Sequence, residues 1–145
     1  MNTTGTLNHL IEICKDGEDG FRESGANAKH SELKTLFGNY SQQRTTFAAE
    51  LHELVNELGE EPETTGSTAA AAHRGWIGLK SAVTNGSDHA ILVECERGED
   101  HAVAAYRTAL EEELPPYIQS VVAAQSAGVQ LAHDDVRNRR DAAAA

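Results

Sequence analysis

Glu18, His52, Glu99 and His133 are the side chains of this 145-residue chain whose types and spacing could do chemistry. They form two pairs related by one shift. Cys14-Lys15-Asp16-Gly17-Glu18-Asp19 reads against Cys95-Glu96-Arg97-Gly98-Glu99-Asp100, a displacement of 81 positions (95 − 14 = 81). The same displacement lays His52 on His133, Leu33 on Leu114 and Val55 on Val136. A chain built from two such halves is expected to fold with approximate two-fold symmetry, which would bring two carboxylates and two imidazoles to one place. Hard carboxylate oxygen mixed with borderline imidazole nitrogen suits one divalent ion such as Zn, Mn or Fe.

The surroundings of these residues leave two outcomes open. Glu18 continues an apolar stripe of Leu7, Ile11, Cys14 and Phe21, and Glu99 continues one of Leu92, Cys95, Ala102 and Tyr106. A carboxylate within such a stripe is costly unless it is paired, ligated or protonated. A metal would meet that demand; so would a metal-free polar core in which Arg44 or Gln43 reaches the carboxylates. His133 lies between Val129 and Val136 on an apolar stripe, whereas His52 falls roughly 90° or more from the centre of its helix's apolar face. Glu96, one turn before Glu99 on the same face, is a further candidate ligand. Its counterpart Lys15 breaks the symmetry. His9, His30, His73, His89 and His101 share no spacing that defines a site and are expected at the surface.

Two other repeated residue types sit beside these. With the Glu residues level on antiparallel helices, Cys14 and Cys95 would be two turns, ~11 Å, apart along the axis, too far to bond. They are expected as small core residues. Gly17 and Gly98 each cost ~1 kcal/mol relative to Ala in a helix interior, so a close approach beside the Glu residues is expected there.

The elements that must position these side chains are helices. Aromatic residues are scarce, Pro occurs three times, and Ala, Leu and Glu are abundant. Apolar residues at 3-4 spacing predict a first helix over 6–26 and a second from Ser31 to Leu58, closed by Gly59. A third should start at Ser87-Asp88, a good N-terminal cap. A fourth should start at Pro115-Pro116, which suits a first turn, and end before Asp141. The 28 or so residues between the second and third helices exceed a tight turn. There 60–66 reads as loop, and 67–83 as an amphipathic helix with Ala69, Ala72, Trp76, Leu79 and Val83 on one face. The expected architecture is a single-domain, all-α four-helix bundle over residues 1–145, with a long crossover and frayed ends at 1–5 and 142–145.

Composition narrows the function classes. With 12 basic and 23 acidic residues the chain carries −11, which repels phosphate backbones. The one basic run, Arg137-Asn138-Arg139-Arg140, sits where a helix end favours it anyway. The expectation is no nucleic acid and no membrane partner, since no apolar run reaches ~20 residues. No basic segment leads into an apolar one near Met1, so a cytoplasmic chain is expected. Neither a phosphate-binding glycine loop nor a Ser, His and Asp arrangement is present, and no catalytic residue is expected. Apolar residues such as Trp76 and Ile77 on the crossover suggest a homodimer.

Several local strings carry a family resemblance. They are residues 10–21 (Leu10 through Cys14 and Gly17 to Phe21), Tyr40-Ser41-Gln42-Gln43-Arg44, Phe47-Ala48-Ala49-Glu50-Leu51, His73-Arg74-Gly75-Trp76-Ile77 and Glu94-Cys95-Glu96-Arg97-Gly98-Glu99-Asp100. Over nearly the whole chain the sequence resembles a bacterial family of uncharacterised ferritin-like four-helix-bundle proteins. Metal-binding ferritin-like proteins hold metal through one Glu on each of two helices and a Glu-x-x-His on each of the other two. The resemblance places Glu18 and Glu99 at the lone Glu positions and His52 and His133 at the His positions. Ala49 and Gln130 stand where the bridging carboxylates belong. What remains implied is one divalent ion on two Glu and two His. The alternatives are a metal-free structural or stress-associated interaction protein with a relic polar core, or a di-iron oxidase with rearranged ligands using Glu96 or Glu50.

Overall fold

In the computed structural model, which describes residues 2–60 and 72–143, every regular element is helical. Helix α1 spans Thr3–Asn27, α2 Ser31–Glu57, α3 Leu79–Asn85, α4 Asp88–Glu111 and α5 Pro116–Ala142, with a π-helical turn at Ala72–Trp76 before α3. No described helix is long and apolar enough to cross a membrane. Residues 61–66 of the loop expected over 60–66 and the start of the crossover helix at 67, Ala69 included, lie outside the described residues, as do the side chains of Ala72 and His73.

Local chemistry sets the ends. The Asn2 side chain accepts from the Gly5 N–H at 2.7 Å, so α1 starts three residues earlier than its apolar stripe predicts. Gly59, at φ 78°, follows α2 in the left-handed conformation that ends a helix cheaply only at glycine. Pro116 opens α5, which continues through Asp141 to Ala142. Ser87 caps α4 by accepting from the Ala90 N–H.

Asp88 does something else. Its carboxylate accepts from the N–H groups of Lys29 and His30 at 2.7 and 3.1 Å and meets the His30 ring at 2.6 Å, fastening the α1–α2 turn to the start of α4. Burial alone would raise this carboxyl, but those donors outweigh it and hold it below its usual 3.8. A depressed folded value means the contribution is complete above 3.8 and is lost as pH falls through the folded value. The stability gap between the parent and Asp88→Ala, from urea unfolding at a series of pH values, should be constant near neutrality and shrink in acid. A gap that does not change with pH would leave the carboxylate without that role.

The helices pack as two antiparallel hairpins, α1 with α2 and α4 with α5. Across them α1 runs antiparallel to α4, since Cys14 meets Tyr106 and Ser24 meets Cys95. Likewise α2 runs antiparallel to α5, with Tyr40 on Asp135 and Glu32 on Arg139. One end of the interior gathers Leu7, Leu10, Ile11, Leu51, Val55, Tyr106 and Val122; the other gathers Phe21, Phe37, Trp76, Ile91, Leu92 and Val136.

The two-fold relation holds only in part. The Ser41 hydroxyl donates to the Glu18 carbonyl, a partner 23 positions away, whereas Asp100 meets His133, 33 positions away. Asp100 corresponds to Asp19, one residue beyond Glu18, so a common shift of 81 would put its partner about 21 positions away. The facing helix of the second hairpin is therefore displaced by about twelve residues, a little over three turns. The shift relates α1 to α4 but not α2 to α5, and His52 and His133 are not equivalent.

The crossover docks through Trp76, which packs edge-on against Phe21 at 5.4 Å between ring centres. The indole lies over Gly20 of α1 and Gly98 of α4, where any Cβ would overlap it. Gly75, at φ 104°, turns the backbone against the Arg97 carbonyl, splitting the crossover helix that the apolar spacing predicts. Arg74 beside it pairs with the buried Asp16 and, at 3.3 Å, with Glu12. Trp76 is 9% exposed and belongs to the core, so the dimerisation patch expected at Trp76 and Ile77 is reduced to Ile77.

Candidate functional site

At the junction of the two apolar halves, Arg44 of α2 grips Glu99 of α4. Two parallel hydrogen bonds of 2.6 Å join guanidinium and carboxylate, and the side chains are 1% and 0% exposed. The third guanidinium donor, Nε, goes to Gln43 Oε1 at 3.1 Å, and the cation stands 5.4 Å from the centre of the Phe21 ring. Gly17 leaves the room: a Cβ there would come within 3.1 Å of Arg44 Nη1. Burial works against the Arg44 charge, but Glu99 more than offsets it and raises the guanidinium above its ordinary value. The two glycines of the repeat thus serve different ends, Gly17 admitting Arg44 and Gly98 admitting Trp76.

The four residues singled out by the repeat go to four different places. Glu99 is held by Arg44. Glu18 stands at the edge of the bundle, 28% exposed and 3.9 Å from Arg22, because the inner face of α1 at this level is given to Asp16, Gly17 and Gly20. His52 is half-buried; burial and then the Lys15 charge push its imidazole down. His133 faces α4, with Nε2 2.6 Å from Asp100 Oδ1 and Nδ1 3.1 Å from Asp134 Oδ1. Burial opposes its protonation, but the two carboxylates prevail and raise its pKa.

One set of metal-capable side chains does converge among the described residues. Donor atoms of Glu96, Asp100 and His133 all lie within 4.8 Å of one another. Glu96 and His133 were candidates from sequence. Asp100 was not, although its spacing, four after Glu96, puts both on one face of α4. Arg140 of α5 is ion-paired with Glu96 and also with Asp141. Arg139 pairs with Glu32 and Asp135, and Arg137 lies 3.7 Å from Asp134, so each arginine of the basic run faces carboxylate.

A second polar line crosses the other half of the interior. The Tyr106 hydroxyl donates to Gln125 Oε1 at 2.7 Å and meets Cys14 Sγ at 3.1 Å; Gln125 Nε2 donates to Glu50 at 2.8 Å. Both cysteines are free and buried, Cys95 meeting the Ser24 hydroxyl at 3.2 Å. Burial pushes the Cys14 thiol up to about 11 and the Cys95 thiol to about 12, so neither is a ready nucleophile at neutral pH. Sequence periodicity could not find this line, because Gln125 looks like any polar residue until α5 is placed.

Among known proteins, the family described as a domain of unknown function (DUF2383) matches residues 2–112. No curated protein matches the chain.

Proposed function

The chain belongs to this family of unknown function, and we propose that it is a ferritin-like bundle with an ion pair at its centre where metal-binding relatives carry metal. Its role on this reading is structural or interactive rather than oxidative. The observation that carries it is the Arg44–Glu99 pair. A metal-binding ferritin-like centre needs carboxylates from facing helices turned toward a cation. Here a permanent side-chain cation takes both oxygens of the one buried candidate. The other donors do not fit either. Ala49 offers none, Gln130 binds Asp134 on the surface, Glu50 accepts from Gln125, and Glu96 is held by Arg140.

An iron oxidation assay tests this. Ferrous iron added to the chelator-stripped chain in air should oxidise no faster than in protein-free buffer. Accelerated oxidation that disappears in Glu99→Gln would restore the oxidase reading.

For an interactive role, a second copy of the chain is the partner the surface fits. Residues 115–132 contain no Asp, Glu, Lys or Arg in a chain of net charge −11. On the outer face of α5, Tyr117 and Leu131 are 66% and 72% exposed, with the exposed Ser120, Ala124 and Ala127 between them at 3-4 spacing. Two strongly acidic molecules repel except where charge is absent. A two-fold axis at Ala124, midway between the large residues, would set Tyr117 of one copy against Leu131 of the other, the self-complementarity a symmetric dimer requires. Light scattering after gel filtration should give a dimer that Leu131→Glu converts to monomer. A parent that is already monomeric at high concentration, or a Leu131→Glu dimer, would contradict this assignment.

A further inference from the structure

We propose that Glu96, Asp100 and His133 bind one divalent transition-metal ion at the seam between α4 and α5, outside the bundle centre. The inference is independent of the ion pair: Glu99 points to Arg44, while Glu96 and Asp100 face α5.

Geometry is the first support. The three donor atoms lie within 4.8 Å of one another. Ligands ~2.0–2.2 Å from a shared ion stand up to ~4 Å apart, so small side-chain rotations complete the site. Two donors come from successive turns of one helix and the third from its hairpin partner, which fixes their backbones before any ion arrives.

The orientation of His133 is the second support. Its Nδ1 is engaged by Asp134 at 3.1 Å, which leaves Nε2 turned toward Asp100 at 2.6 Å. A carboxylate behind the ring is the arrangement that aims a ligating imidazole and strengthens its basicity. The third support is charge. Three carboxylates, Glu96, Asp100 and Asp134, gather around the site, facing the guanidinium groups of Arg140 on Glu96 and Arg137 on Asp134. A divalent ion would displace Arg140 from Glu96, and Arg140 retains Asp141.

Two carboxylates and one imidazole suit Zn, Mn or ferrous iron over Mg or Ca, which favour all-oxygen shells. Three protein ligands leave a coordination position for water, the open type of site. Asp100 is 62% exposed, so the ion enters from solvent.

Calorimetric titration of the chelator-stripped full chain with zinc chloride and with manganese chloride at neutral pH tests the assignment. One equivalent of either metal should bind. His133→Gln, which removes a ligand at a seam and not in the core, should weaken binding by about tenfold or more. Arg140→Gln, which removes the competing cation, should tighten it, and Glu99→Gln should leave it unchanged. Absence of stoichiometric binding overturns the proposal, as does unchanged affinity in His133→Gln with its helical content intact. Loss of binding in Glu99→Gln alone would move the ion to the bundle centre and overturn both this site and the ion-pair reading.

Discussion

Arg44→Met is expected to lower the unfolding free energy by about 3–5 kcal/mol, because it strands the Glu99 carboxylate without solvent or counter-ion. For a chain of this size that is a fall of roughly 10–15 °C in melting temperature. Methionine keeps much of the arginine stem's volume, so the loss would come from charge and hydrogen bonding more than from a cavity. Part of the loss is recovered where water can enter between α2 and α4 to reach the stranded carboxylate. Thermal and urea unfolding at neutral pH checks this, and a loss under 1 kcal/mol would show that the pair is not central to stability.

Gly98→Ala is the second large effect, and its sign runs against helix propensity. Alanine in place of a mid-helix glycine normally stabilises by ~1 kcal/mol. Here the added methyl would overlap the Trp76 indole, and Gly20→Ala would do so from the opposite helix. Overpacking of this kind costs about 1–3 kcal/mol if the core shifts. Full expulsion of the ring would cost about 3–5 kcal/mol, as for truncating a buried aromatic. Trp76 is the chain's single tryptophan, so its emission reports the outcome directly. A red shift with reduced stability is expected in Gly98→Ala. Gly38→Ala on α2, where a Cβ meets nothing within 4 Å, should stabilise without moving the emission. Gly98→Ala that stabilises and leaves the spectrum unchanged would mean that the crossover is not docked by this residue.

The difference between those two glycines shows what a sequence can and cannot disclose. A glycine repeated at the same place in two halves signals close packing, and both Gly17 and Gly98 provide it. What approaches them is set by segments far away in the chain, a helix side chain in one case and the crossover in the other. The four long helices were legible because an amphipathic helix writes its buried face at 3-4 spacing, and because Gly59, Ser87 and Pro116 mark ends by their own backbone chemistry. The split of the crossover helix was not, since Gly75 acts through a positive φ that Ala72, Trp76 and Leu79 at helical spacing conceal.

The candidate side chains could be named from the sequence, but where each would stand could not. Periodicity gives a helix's inward face but not its axial register against a neighbour; turns set that. By the shift of 81, α4 would end near residue 108 and α5 begin near 112, but they do so at Glu111 and Pro116. Each residue of delay at a hairpin turn moves the facing register by two, which accounts for more than half of the offset of about twelve residues. His133 therefore meets Asp100, whereas His52 lies beside the charge of Lys15. Glu99 was correctly read as a buried charge needing a partner, and Arg44 was one of two named. Glu18 matched it in sequence but not in environment, because α1 must also cover the crossover with Asp16 and Gly20.

The most direct test of an ion-paired centre is a double-mutant cycle on Arg44→Met and Glu99→Leu, run with chelator and again with added Zn, Mn or ferrous iron. Each single change should cost about 3–5 kcal/mol and the double change clearly less than their sum, because replacing a buried pair by apolar side chains is often close to neutral. Those values should be the same with and without metal. A Glu99→Leu variant that is silent in chelator and destabilised only when metal is present would contradict the account, and would mean that Glu99 serves an ion and not Arg44.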